Sequence, residues 1–211
     1  MPTIAETLRA RWKPSYATRV TNGSHAFETA LSFIGAGAAK RAELSKPGTL
    51  SPKGIADGVR EFASKGVVPE LKKFRALVAT DRANIEQRRI KLGKPTIDPT
   101  DAAAAVLRQE YRSYLRSLSM GDRARLVLSG DDPVLVAAAL EVPTLAGLSP
   151  DIHAKAVETY IARTAGPELQ ALEEADEALA LVEAAIKVAE NDLSSHLDMQ
   201  QHEFRQFLEA A

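Results

Sequence analysis

Two groups of basic residues are spaced so that each would lie along a helix and could bind an anion. The first lies within residues 69–92 and comprises Lys72, Lys73, Arg75, Arg88 and Arg89. The second recurs every fourth residue and comprises Arg108, Arg112 and Arg116. Guanidinium and ammonium groups bind carboxylates and phosphates. These eight residues are therefore candidate contacts for a partner or a phosphate, and an ordinary solvated helix face is the alternative explanation for both groups.

The residues needed for catalysis or metal binding do not occur in recognisable patterns. There is no Cys, and the four His have no ligand spacing, since Asp192 and His196 supply only two ligands where zinc needs at least three protein groups. Neither a Gly-x-Ser-x-Gly elbow nor a Walker sequence is present. The acidic run 173–177 has neighbours typical of a solvated helix. We therefore predict no catalytic, metal-binding or cofactor-binding residues, no cofactor and no enzymatic activity.

The composition predicts a protein built from helices alone. Aromatic residues make up 5% of the chain, and Ala, Leu, Glu, Lys and Arg are abundant. The net charge of −1 conceals a polarity along the chain, because residues 1–97 carry a net charge of +10 and residues 98–211 a net charge of −11. Two explanations are open: the two halves neutralise each other within one fold, or they form opposite faces that bind other molecules.

Helix-start signals divide the middle of the chain into short segments. Asp101, Ser119, Asp132 and Ser149 each stand where a side chain can cap the first free N–H groups of a helix, and Pro follows two of them. We predict an all-α fold, a bundle of short capped helices with a long acidic C-terminal helix. Its parts would be a basic helical region at 1–97, a compact four-helix core at 98–166 and the acidic helix at 167–211. Within the core, Leu107 and Tyr114 are predicted to lie on the apolar face of the first helix.

The N-terminal region is predicted to contain four helices. The first runs from about Ile4 to Trp12, after a capping-box spacing of Thr3 and Glu6. The second runs from Ser24 to about Leu44, with Gly35 and Gly37 inside it, and the third from about Pro52 to Ser64, ending before Gly66. The fourth is the basic helix 69–92.

The acidic C-terminal segment has an apolar repeat. Apolar residues alternate at spacings of three and four, the rhythm of the a and d positions of a coiled coil. The candidate self-association residues are Leu172, Leu179, Val182, Ile186 and Leu193. This segment is therefore a candidate coiled coil, and packing onto the protein's own body is the alternative.

The central part of the chain resembles a group of proteins from tailed bacteriophages and prophages. The sequence 111–119, followed by Asp132-Pro133, Glu141-Val142-Pro143 and Leu148-Ser149-Pro150, resembles uncharacterised helical proteins encoded near virion structural genes. The resemblance covers about residues 102–189. It implies an assembly or particle component and supplies no functional residues.

Two functions from different classes follow. The first is a non-enzymatic structural or assembly protein, a minor virion or scaffolding-type component of a tailed phage, with a protein partner or a second copy of itself as its ligand. The alternative is a nucleic-acid-binding module that uses the basic helix 69–92, although no aromatic residues are interleaved to stack on bases. No apolar run approaches the about 20 residues of a membrane span, and residues 1–6 lack a secretory signal, so we expect no membrane partner and a location in the host cytoplasm or the virion.

Overall fold

The structure is a computed structural model that describes residues 2–46, 48, 50–197 and 199–210, with Gln201 described by its backbone alone. These residues form helices and short connections and include no strand, which confirms the all-α prediction. The helices are α1 (Ile4–Arg11), α2 (Tyr16–Arg19), α3 (Gly23–Ser32), α4 (Ala36–Ser45), α5 (Pro52–Phe62), α6 (Val68–Leu92), α7 (Ala102–Ser117), α8 (Met120–Ser129), α9 (Pro133–Glu141), α10 (Pro143–Ala146), α11 (Pro150–Thr164), α12 (Gly166–His196) and α13 (Gln201–Ala210).

The predicted capping residues begin the helices of the central region. Asp101, Ser119 and Ser149 each accept a hydrogen bond from the N–H group three residues later, and Asp132 accepts from Val134 and Leu135. Each cap satisfies a donor that has no partner within its own helix. The region also contains the short α10 in addition to the four predicted helices.

Two predicted helix bounds in the N-terminal region are wrong. The helix expected from Ser24 to Leu44 is broken at Gly35, whose φ of 81° is a left-handed conformation that glycine adopts without steric cost. The helix expected to end before Gly66 instead continues into α6 through a π-helical turn at Ala63–Val67. Pro69 has no N–H group to donate to the carbonyl four residues earlier, and a wider turn accommodates that missing bond.

The chain divides into two compact units. Unit 1 comprises Met1–Ile85 with Glu173–Ala211, and unit 2 comprises Glu86–Leu172. The predicted core at 98–166 lies within unit 2. The predicted basic and acidic regions, in contrast, contribute most of their residues to the same compact unit.

The core of unit 1 is built around α12. From Ala175 to Leu193, this helix buries residues at spacings of three and four, and Leu179, Val182 and Ala189 are fully inaccessible. The N-terminal helices contribute Phe27, Val59 and Leu71, which are also fully buried, and Trp12 stacks on Phe27 with ring centroids 4.4 Å apart. Residues distant in the sequence therefore share one apolar interior.

The core of unit 2 is centred on α9. Every turn of this short helix is apolar, and five of its nine residues are buried. Leu115 from α7, Val127 from α8 and Ala156 from α11 complete the same cluster. α9 is thus buried, as its composition predicts.

Candidate functional site

The cations of α6 are largely engaged within the protein. Arg75 donates to the buried carboxylate of Glu190, and Arg82 donates to Glu183 at 2.8 Å, both on α12. Lys72 donates to the carbonyl of Glu209 in α13 at 3.2 Å. Lys73 and Arg89 pair with glutamates one turn earlier, whereas Arg88 has no partner among the described residues. The geometry therefore supports the use of this helix in packing more than as a surface for nucleic acid.

The charge polarity along the chain disappears within each compact unit. Unit 1 contains 16 Lys and Arg against 17 Asp and Glu, a net charge of −1, and unit 2 contains 11 of each. In unit 1 the neutralisation is visible as contacts, since Lys13 pairs with Glu177 at 2.9 Å and Arg19 with Glu174 at 2.7 Å. Of the two explanations for the polarity, these contacts favour neutralisation within the fold.

Two of the three arginines in the stripe of α7, Arg108 and Arg112, are turned towards the protein, whereas Arg116 is exposed. Arg108 and Arg112 both donate to Oε2 of Glu141, at 3.1 and 2.7 Å, and their side chains are 11% and 14% exposed. The stripe is therefore a carboxylate clamp, and the carboxylate belongs to the last residue of α9. Glutamate is unfavourable at a helix C-terminus, and the two guanidinium groups compensate its charge. Arg116 lies outside the clamp and donates to Ser113 Oγ.

The buried side of α7 is the side that carries Arg108 and Arg112. The apolar face predicted for this helix is not its buried face, because the exposed fractions of Leu107 and Tyr114 are 43% and 51%. Leu115 is fully buried instead, on the side of the helix that carries the clamp. Val106, 57% exposed, adds to the uncovered apolar surface. We call Val106, Leu107 and Tyr114 together the outer face of α7.

The apolar repeat of α12 is covered by the protein's own chain. Leu172, Leu179, Val182, Ile186 and Leu193 are each at most 2% exposed. Residues outside the a and d positions, including Ala178, Leu181 and Ala185, are buried as well. A buried face wider than a two-stranded seam is typical of a helix inside a globular core. The candidate self-association residues are therefore core residues in this structure and are not available to a second chain.

Arg123 is a central residue of unit 2 that the sequence analysis missed. Its guanidinium group donates to four backbone carbonyls, those of Leu115, Arg116, Leu118 and Gly147. Three of these lie at the end of α7, where the last carbonyls have no partner within the helix. No local signal identifies Arg123, because its partners are brought to it only by the fold.

Two further kinds of site are absent from the described residues. Within the ranges that the structure describes, no group of three or more His, Asp or Glu side chains could hold a metal ion. Among the same residues, no helix is both long enough and apolar enough to cross a membrane. The outer face of α7 is thus the main uncovered apolar feature of unit 2 for which a function must be considered.

Comparison with family models, with curated proteins and with solved structures finds no match to this chain. The functional argument therefore rests on the residues and their contacts.

Proposed function

We propose that the protein is a non-enzymatic structural or assembly protein that binds a second copy of itself through the outer face of α7. On the resemblance over residues 102–189, we extend the proposal to a minor virion or scaffolding-type component of a tailed phage that acts in the host cytoplasm and in the particle. The observation that carries the binding surface is the exposure of Val106, Leu107 and Tyr114 along one helix.

The surface has the length and composition of a helix-packing face. α7 has 16 residues and is therefore about 24 Å long. Met120, which begins the next helix, is 69% exposed and adds a flexible apolar side chain near one end. Tyrosine and methionine are enriched at protein interfaces, where their apolar area is removed from water.

The spacing of the apolar anchors on this helix favours a second copy as the partner. Leu107 and Tyr114 are seven residues apart and therefore lie on the same side of α7. An antiparallel α7 from a second copy, related by a two-fold axis midway between these two residues, would place Leu107 of each copy beside Tyr114 of the other. A two-fold interface requires this kind of self-complementarity.

The test is the solution mass of the full chain with both apolar anchors replaced. We expect the unaltered protein to be a dimer by light scattering after size exclusion, and Leu107→Gln combined with Tyr114→Gln to be a monomer. Both substitutions place a good or acceptable helix former at an exposed position, so we expect the melting temperature to change little.

The matched control is Ile4→Gln, which removes a comparably exposed apolar side chain from α1. This variant should remain a dimer. A monomeric wild-type protein across the accessible concentration range would contradict the proposal, and so would a double variant that stays dimeric.

A further inference from the structure

A deep groove in unit 1 lies between α6, α12 and α13. Its volume is about 850 Å³, within the range of pockets that hold small molecules. α6 contributes Arg75, Val78 and Arg82, which are spaced along one face of that helix. Ile186 of α12 and Phe204 of α13 also line the groove but are only 2% and 5% exposed, so the apolar surface open to a ligand includes Ala79 and the aliphatic stems of the two arginines. The groove therefore combines an apolar lining with charged groups.

The residues that line the groove carry a net positive charge. Arg75 and Arg82 are paired with Glu190 and Glu183, which also line it. Two further cations in the lining, Lys187 of α12 and Arg205 of α13, have no partner among the residues that the structure describes. An excess of two positive charges beside apolar walls matches a ligand with an apolar part and an anionic group.

Glu190 shows that the polar groups of the groove are incompletely satisfied. The residue is 7% exposed, and its Oε1 is buried without a hydrogen-bond partner in the described part of the chain. Burial raises the pKa of this carboxyl, and the neighbouring Arg75 opposes the shift. Unsatisfied buried polar atoms are rare in native proteins.

We propose that the groove binds a small amphipathic anion, with an apolar chain packed along Ala79 and the aliphatic stems of Arg75 and Arg82 and a carboxylate or phosphate bound by Lys187 and Arg205. This site is independent of the outer face of α7, because its residues all belong to unit 1 and its loss would leave the solution mass unchanged.

The first probe is decanoate, a ten-carbon carboxylate, titrated into the full-length protein by calorimetry at low salt. We expect saturable binding, and at least ten-fold weaker binding of the six-carbon hexanoate, because less apolar surface is buried. Decyltrimethylammonium, with the same chain and the opposite charge, should not bind. Comparing decanoate with decyl phosphate then distinguishes the two anionic head groups.

The variant test removes the charges of both unpaired cations and keeps a polar side chain at each position. Lys187→Gln with Arg205→Gln should weaken decanoate binding at least ten-fold, and the charge reversal Lys187→Glu alone should weaken it similarly. Arg11→Gln with Lys53→Gln is the matched control, since both residues are exposed, belong to unit 1 and have no partner among the described residues. This control should bind as the wild type does.

Three results would overturn the proposal. They are absence of decanoate binding to the wild-type protein, equal binding of decyltrimethylammonium, and unchanged binding by the Lys187 and Arg205 variants. Thermal unfolding followed by circular dichroism verifies that each variant is folded before it is scored. Lys187 and Arg205 are both exposed, so neither substitution opens a cavity in the core.

Discussion

At the scale of single residues, arginine is used here mainly to connect parts of the fold. The guanidinium group of Arg123 donates hydrogen bonds to carbonyls at the end of α7 and to the carbonyl of Gly147, which follows α10. Arg108 and Arg112 join α7 to the end of α9 through Glu141. A planar guanidinium group with five donors can serve several acceptors at once, which an ammonium group cannot do in the same geometry.

Replacing Arg123 by Lys should therefore destabilise unit 2. We expect the free energy of unfolding to fall by about 2 kcal/mol, because charge-assisted bonds to carbonyls are lost and partly buried acceptors are left without donors. Urea denaturation followed by circular dichroism measures the change. Arg125→Lys is the control, since Arg125 pairs only with Asp122 on the surface and should change stability by less than about 0.5 kcal/mol. Equal stabilities for the two variants would contradict the role assigned to Arg123.

At the scale of helices, side-chain caps decide where the elements of unit 2 begin. Asp132 is the clearest case, because its carboxylate accepts from the N–H groups of Val134 at 2.9 Å and Leu135 at 3.0 Å. The pKa of Asp132 is lowered by the hydrogen bond from the N–H group of Leu135, by the hydrogen bond with the Tyr111 hydroxyl and by the hydrogen bond from the N–H group of Val134. Burial opposes this shift. The carboxylate form is therefore favoured in the folded protein relative to the unfolded chain.

Asp132→Ala should lower the free energy of unfolding by about 1 to 2 kcal/mol at pH 7, the usual cost of losing such a cap. The pH dependence follows from the lowered pKa. The extra stability of the carboxylate is present above the pKa of Asp in the unfolded chain, about 3.9, and is lost as the pH falls through the lower folded value. Asp132→Asn keeps a capping oxygen but cannot titrate.

Denaturation midpoints at pH 7 and pH 3 test this expectation. The stability advantage of the wild type over Asp132→Asn should shrink between these two pH values. Asp131→Ala serves as the control, because the Asp131 side chain caps no helix. If Asp131→Ala and Asp132→Ala are equally destabilising, the cap does not have the importance proposed here.

At the scale of the whole molecule, the two ends of the chain build unit 1 together. Lys13, Arg19 and Arg82 reach carboxylates on α12, and the apolar residues of that helix form much of the core. A buried leucine or valine contributes about 1.5–3 kcal/mol, and a domain's net stability is only about 5–15 kcal/mol. We therefore expect the N-terminal region to need the C-terminal region in order to fold.

Deleting residues 167–211 should unfold unit 1 and not merely dissociate an oligomer. We expect the helical circular dichroism signal to fall by more than the deleted residues account for, and the cooperative transition of unit 1 to disappear. A fragment of residues 86–172, which retains the core of unit 2, is the control and should keep a cooperative unfolding transition. If residues 1–166 kept the helical signal of residues 1–85 and a second cooperative transition beyond that of the 86–172 fragment, α12 would not be the centre of that core.

The sequence by itself determined the features that depend on neighbouring residues. The caps at Asp101, Ser119, Asp132 and Ser149 and the all-helical class were predicted correctly, because a cap or an amphipathic period is set within a few residues. The bound at Gly35 was missed, since its amide donates to Asp192, which lies 157 residues away.

Only the tertiary structure decided how the helices are used. The repeat of Leu179, Val182 and Ile186 suits a coiled coil and a globular core equally well, and the choice depends on which surface covers it. The same holds for α7, where the distant Glu141 turns the arginines inward and leaves Leu107 and Tyr114 exposed. Charge pairing and burial act between residues far apart in the chain, so the spacing of residues along one helix does not reveal its partner.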